Sequence, residues 1–263
     1  MPHKANIRFL SLAISTATVL LLGGSREANG QATSGQLPGN VHYLHSGDLP
    51  PGFIGGARLQ RRGAVQGYYQ PVRLSGPEGV RFSLADGTTF PPTEAGALHA
   101  GLLIGAVYRI RITDIADSPG LEIYPTVEVI DRTYPPPGEA LRFPIPINID
   151  RLDLLDASQG RMVTRVIYLE DSEQALPLAE TIDSARTLEI SSREDPLKVA
   201  DRLGRPVAIV RIGSLLPPAE PSLLPQFFFG SPPWLTMTPI QKQQEPANAL
   251  PVGESKFNFR QQR

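Results

Sequence analysis

Between Tyr68 and Ile212 apolar and polar positions come in short runs. YYQPVRL, VRFSL, LLIGAVYRIRITDI, LEIYPTVEVI, LRFPIPINI, MVTRVIYLE, TLEIS and PVAIVRI are each rich in Val, Ile, Tyr, Phe and Thr. These residue types suit a pleated, half-buried surface. Turn formers separate the runs: SGPEG, ADG, DSPG, YPPPG and GRPV. Short strands with such turns between them predict a mostly-β domain over residues 67–215, an antiparallel β-sandwich or a barrel-like body. Two stretches carry helix signals instead. In DRLDLLDASQG, Asp150 suits an N-cap, Asp153 follows three residues on, and Gly160 lies past the end. In REDPLKVADRLG, Pro196 suits a first turn and Gly204 the position just after the helix.

The alternation also assigns faces. In GLEIYPTVEVID (120–131), Glu122, Tyr124, Thr126 and Glu128 share one face, and Ile123, Val127 and Val129 share the other. In VYRIRITDI, Arg109, Arg111 and Thr113 oppose Tyr108, Ile110 and Ile112. DSPG between them predicts a hairpin with Arg109 opposite Glu128, giving one wet face and one core face. Glu122 and Glu128 have the look of a glycosidase pair. At about 3.3 Å per residue they lie roughly 20 Å apart on a straight strand, too far for the about 5–9.5 Å that such chemistry needs. No catalytic residue is assigned.

Outside this body the pattern changes. Residues 31–66 are dense in Gly and Pro and predict an irregular leader, with one extended piece at Val41–Leu44. Residues 216–263 carry prolines throughout and end in polar residues, which predicts an extended or disordered tail. Residues 1–30 place Lys4 and Arg8 before an apolar run, with small residues at Ala28 and Gly30. That order predicts a secretory signal cut after Gly30, or after Ala32. Such a signal sends the chain to the periplasm, cell surface or medium, with no membrane span after cleavage. Loss of Lys4, Arg8, Arg26 and Glu27 with it moves the formal charge from −1 to −3. There is no cysteine, so neither a disulfide nor a lipidated cysteine contributes. A near-neutral chain without a basic block has no electrostatic reason to bind nucleic acid.

Candidate chemistry is sparse. No G-x-S-x-G, S-x-x-K, P-loop or G-x-G-x-x-G is present, PGFIGG at Gly52–Gly56 lacks a following helix and lysine, and no cofactor is implied. His42 and His45 have metal-ligand spacing only if helical, which the surrounding Pro and Gly disfavour, and His99 stands apart. Asp150, Asp153 and Asp156 recur every third residue rather than every second, unlike a calcium loop. Asp114 and Asp117 flank a turn, where Asp is ordinary. No metal site is assigned. Arg58, Arg61 and Arg62 are the one basic cluster, suited to a solvated linker or an acidic surface. Tyr68, Tyr69 and Tyr134, at strand ends, are candidate ligand-binding positions for a polysaccharide. Phe227, Phe228, Phe229 and Trp234 are costly to leave in water. They predict either a tail folded back on the domain or a docking segment for a protein partner or a second copy. On either reading, truncation at Leu216 is expected to leave the β domain folded but to change its association state or surface hydrophobicity.

The stretches GDLPPGFIGGARL, GYYQPVRLSGPEG, GAVYRIRIT, PGLEIYPTVEVIDR, RFPIPI, VTRVIYLED and DPLKVADRLGRPVAIVRIG together resemble a family of exported bacterial proteins with no assigned activity. The resemblance spans about Gly47 to Gly213. It implies one β domain and transfers no catalytic residue. The expectation is an exported, non-enzymatic binding or structural module of the cell envelope. The alternative is a carbohydrate-binding or carbohydrate-active protein using exposed aromatics and Glu128.

Overall fold

The computed structural model describes residues 46–61, 65–93, 95–116, 118–171, 187–191 and 193–238. All belong to the compact unit Pro38–Arg263. The signal segment, Val41–Leu44, His42, His45, Arg62, Asp117 and the end of the tail lie outside the described residues.

The fold is mostly β, as the alternation predicts. Among the described residues, nine strands form two sheets, with four short α-helices. The strands are β1 (Tyr69–Ser75), β2 (Arg81–Leu84), β3 (Leu98–Leu103), β4 (Val107–Thr113), β5 (Thr126–Val129), β6 (Ile145–Asn148), β7 (Val163–Glu170), β8 (Gly204–Ile212) and β9 (Trp234–Thr236). The helices are α1 (Phe53–Gln60), α2 (Arg151–Ser158), α3 (Pro196–Leu203) and the single turn α4 (Leu224–Phe227). One sheet has the order β6-β1-β3-β9 and the other β2-β4-β5-β8-β7. Val72, Leu74, Ala100, Leu102, Ile145 and Ile147 of the first meet Phe82, Ile110, Ile112, Val127, Val129 and Val210 of the second in one core. Pairing is antiparallel except between β1 and β6, which run parallel. Pro146 in β6 has no N–H to donate, and β6 is an edge strand, where that is tolerated.

The β4–β5 hairpin forms, but its register is two residues from the predicted one: Val107 faces Glu128, and Arg109 faces Thr126. A slip of two keeps every side chain on its expected face. Part of the expected wet face is not wet, although Arg111, Thr113 and Glu122 remain partly exposed. Arg109, Thr126 and Glu128 are all buried, because two segments read as irregular cover them. From the N-terminal side, Ile54 of α1 packs with Ile130, Leu197 of α3 and Ile209. From the C-terminal side, Phe227 and Phe228 pack with Ala85 and Tyr124.

Helix α1 departs from the irregular leader expected there, and it begins at Phe53, inside the PGFIGG stretch expected to lack a helix. Its Gly55 lies against the turn between β3 and β4, where an added Cβ would come within 2.7 Å of Gly105 Cα. The glycine that lowers local helix propensity is what admits the helix to the sheet. Helix α2 has the expected box: Asp150 accepts from Asp153 N–H (2.9 Å) and Asp153 accepts from Asp150 N–H (3.0 Å). Asp195 caps α3 ahead of Pro196. Gly204 is not a left-handed helix stop. It opens β8 in extended backbone (φ 169), where a Cβ would meet Leu169 O at 2.0 Å. Residues 187–191, read as a strand from TLEIS, have no regular structure.

Candidate functional site

The two glutamates have separate structural partners. Glu128 is fully buried, pairs with Arg211 (3.1 Å) and accepts the Gly55 N–H (2.7 Å). Arg211 also donates to the carbonyls of Gly47 (3.3 Å) and Leu49 (3.0 Å). The Asp195 carboxylate accepts the Gly47 N–H (3.0 Å). Burial pushes Asp195 up, but the Ser46 hydroxyl and the N–H groups of Gly47, Leu197 and Lys198 outweigh it and hold the acid below its usual range. These hooks fasten residues 47–55 over β5 and β8. Glu122 bonds the Tyr124 hydroxyl and pairs with Arg111 (3.8 Å).

Two of the three predicted ligand-binding tyrosines come together. Asp131, 2% exposed, accepts from its neighbour's backbone N–H at Arg132 (2.8 Å) and pairs with Arg205 (3.0 Å) and Arg58 (3.4 Å). Arg205 also donates to Arg132 O (2.8 Å). The Arg132 guanidinium lies 3.7 Å over the Tyr68 ring and 5.1 Å from the Tyr134 ring, and Arg205 lies 5.0 Å from Tyr134. Tyr134 stays 49% exposed and takes a left-handed backbone (φ 51), a conformation that is strained for a residue with a Cβ. The result is an aromatic and guanidinium shelf, with Leu141 and Phe143 also exposed on the loop that follows. Tyr69 is not part of it; it pairs with Leu103 in the first sheet.

The tail aromatics are seated on the chain's own body. Phe227 (6% exposed) and Phe228 (3%) stack edge to face at 5.0 Å, with Tyr124 5.8 Å from Phe227 and Phe90 5.3 Å from Phe228. Arg109 holds the segment from below. Its side chain donates to Phe227 O (3.1 Å) and Tyr124 O (2.7 Å) and lies 4.4 Å from the Phe227 ring and 5.1 Å from that of Phe229. Burial lowers its pKa to about 10. Phe229 and Trp234 are half-buried, and the Trp234 indole donates to Ala85 O (3.0 Å). Of the two readings of these aromatics, the folded-back tail is the one observed.

The remaining candidates resolve into ion pairs. Arg165 bridges Asp150 and Asp153, and Arg161 pairs with Asp156. Asp114 pairs with Arg81 (2.7 Å). Arg58 turns inward to Asp131 and Arg61 is exposed. Burial and Arg73 lower the pKa of His99. Among the described residues, no group of three or more His, Asp or Glu is placed to hold a metal ion, and no helix is long and apolar enough to cross a membrane.

Sequence reasoning missed Asp131, Arg132 and Arg205. DRTY puts the first two beside Tyr134, a local signal that was available. Arg205 donates to a carbonyl 73 residues away, and nothing in its surroundings announces that. No family model, curated protein or solved structure matches the chain.

Proposed function

We propose that the protein is an exported, non-enzymatic binding module of the bacterial cell envelope. The observation that supports this is the shelf at Tyr134. A half-exposed ring is kept in a strained backbone conformation and flanked by the guanidiniums of Arg132 and Arg205, the second of them paired with the buried Asp131 carboxylate. Rigid aromatics beside arginines are typical anchors of recognition surfaces. Because Phe227 and Phe228 are engaged within the chain, this reading places the partner surface at the shelf rather than on the tail.

Co-sedimentation with isolated envelope fractions tests it. Tyr134→Ala is expected to weaken retention by about tenfold or more while the circular dichroism spectrum stays the same. Equal retention of both forms would remove the shelf from the function. Export is tested by cell fractionation with N-terminal sequencing. A chain found only in the cytoplasm and beginning at Met1 would sink that part of the reading.

A further inference from the structure

A second site, sharing no residue with the shelf, opens where the tail crosses from one sheet to the other. It is a cleft of about 300 Å³ lined by Asp86, Ser231, Pro232, Pro233, Trp234 and Thr236 beside Ala85. That volume is at the small end of ligand sites. Its walls are held in place. The Trp234 backbone pairs with Leu102 in the first sheet, while its indole N–H donates to Ala85 O beside the second. The ring packs against the main core, and its remaining surface lines the cleft. Tyr108 donates its hydroxyl to Pro233 O (2.8 Å), fixing the proline pair. Ser231 sits in a left-handed backbone (φ 48), and the Asp86 main chain is tied to Thr89 (2.9 and 3.1 Å).

The lining chemistry selects the occupant. Among the described residues, the Asp86 carboxylate makes no hydrogen bond or ion pair, and the hydroxyls of Ser231 and Thr236 are likewise unengaged. We infer that this cleft binds one or two hexopyranose units of a neutral, β-linked glycan. A pyranose with equatorial hydroxyls has an apolar C–H face that stacks on the indole. Its rim hydroxyls donate to the Asp86 carboxylate and exchange hydrogen bonds with Ser231 and Thr236. Pro232 and Pro233 supply rigid apolar walls that lose no entropy on binding. An anionic ligand is disfavoured, because Asp86 is the one charged residue of the lining.

Trp234 is the only tryptophan of the chain, so its emission reports on this cleft alone. The chain is titrated with cellotetraose and with chitotetraose, exciting above the tyrosine band. A saturable change is expected for at least one of them, with a Kd between about 10 μM and 1 mM. Asp86→Ala is expected to raise that Kd about tenfold without moving the melting temperature, since the side chain holds nothing in the fold. Tyr134→Ala is expected to leave the titration unchanged, which separates this site from the shelf. No saturable change with either sugar up to about 10 mM would overturn the inference. So would equal affinity in Asp86→Ala. A response confined to tetralysine and abolished by salt would also overturn it, by assigning the cleft to a cationic peptide.

Discussion

At the scale of single residues, Glu128 and Asp201 make the sharpest predictions. Glu128→Gln leaves Arg211 buried without its counter-charge and leaves one acceptor oxygen to serve both the Gly55 N–H and Arg211. A loss of about 3–5 kcal/mol is expected in urea unfolding. Glu128→Gln with Arg211→Met is expected to lose less, because no charge remains stranded. Burial, with Asp195 nearby, raises the Asp201 pKa to about 6. The sign follows from the direction. The folded state binds this proton more tightly than the unfolded chain, so the contribution is fully present below about pH 4 and is lost as pH rises through about 6. Asp201→Asn is therefore expected to stabilise the protein at pH 8 by on the order of 1–2 kcal/mol and to change little at pH 4. Thermal melts across that range check it; a gain of the same size at both pH values would refute the assignment.

At the scale of elements, the tail behaves as part of the fold. It contributes β9 to the first sheet, buries Phe227 and Phe228, and supplies the Phe227 carbonyl and ring that accommodate Arg109. Each buried ring contributes about 1.5–3 kcal/mol. Deleting 217–263 also leaves Arg109 with an exposed apolar neighbourhood and one carbonyl fewer. The truncated chain is accordingly expected to lose at least about 3 kcal/mol and to bind a hydrophobic dye; the dye binding agrees with the changed surface hydrophobicity expected from sequence, and the loss of stability goes beyond it. A truncated form with the full-length midpoint in urea would contradict the packing described. Element legibility followed the same division. Strands with clean alternation, such as β4, and helices with caps, such as α2, were readable from neighbouring residues. Helix α1, the parallel pairing of β6 and the residues that coat the second sheet were not, because each depends on a surface contributed by distant chain.

At the scale of the whole molecule, both sheets share one core, so the domain is expected to unfold as a unit. Emission of Trp234, at the edge of the first sheet, and far-ultraviolet circular dichroism should give coincident urea midpoints. Ile110→Ala, at a site with no exposure, should lower both together, with a loss of about 2–5 kcal/mol. Separate midpoints would show two cores rather than one.

The sequence by itself determined much of what each residue's nearest neighbours can decide: most of the strands of the β body, though not the TLEIS stretch or β9, which two runs are capped helices, and which side chains share a face. It also argued against Glu122 and Glu128 as a catalytic couple, since their spacing on an extended chain is a local property. Only the tertiary structure decided what lies over each face. Glu128 receives the Gly55 N–H from 73 residues away, and Arg109 reaches a carbonyl 118 residues away. A period of two places Arg109 and Glu128 on one side of a sheet, but it carries no information about whether water or protein meets them there. The shelf at Tyr134 and the cleft at Trp234 depend on the same kind of distant meeting. The tyrosine, with Arg132 beside it, and the tryptophan were visible in the sequence, whereas Arg205 and the Asp86 carboxylate were brought there by the fold.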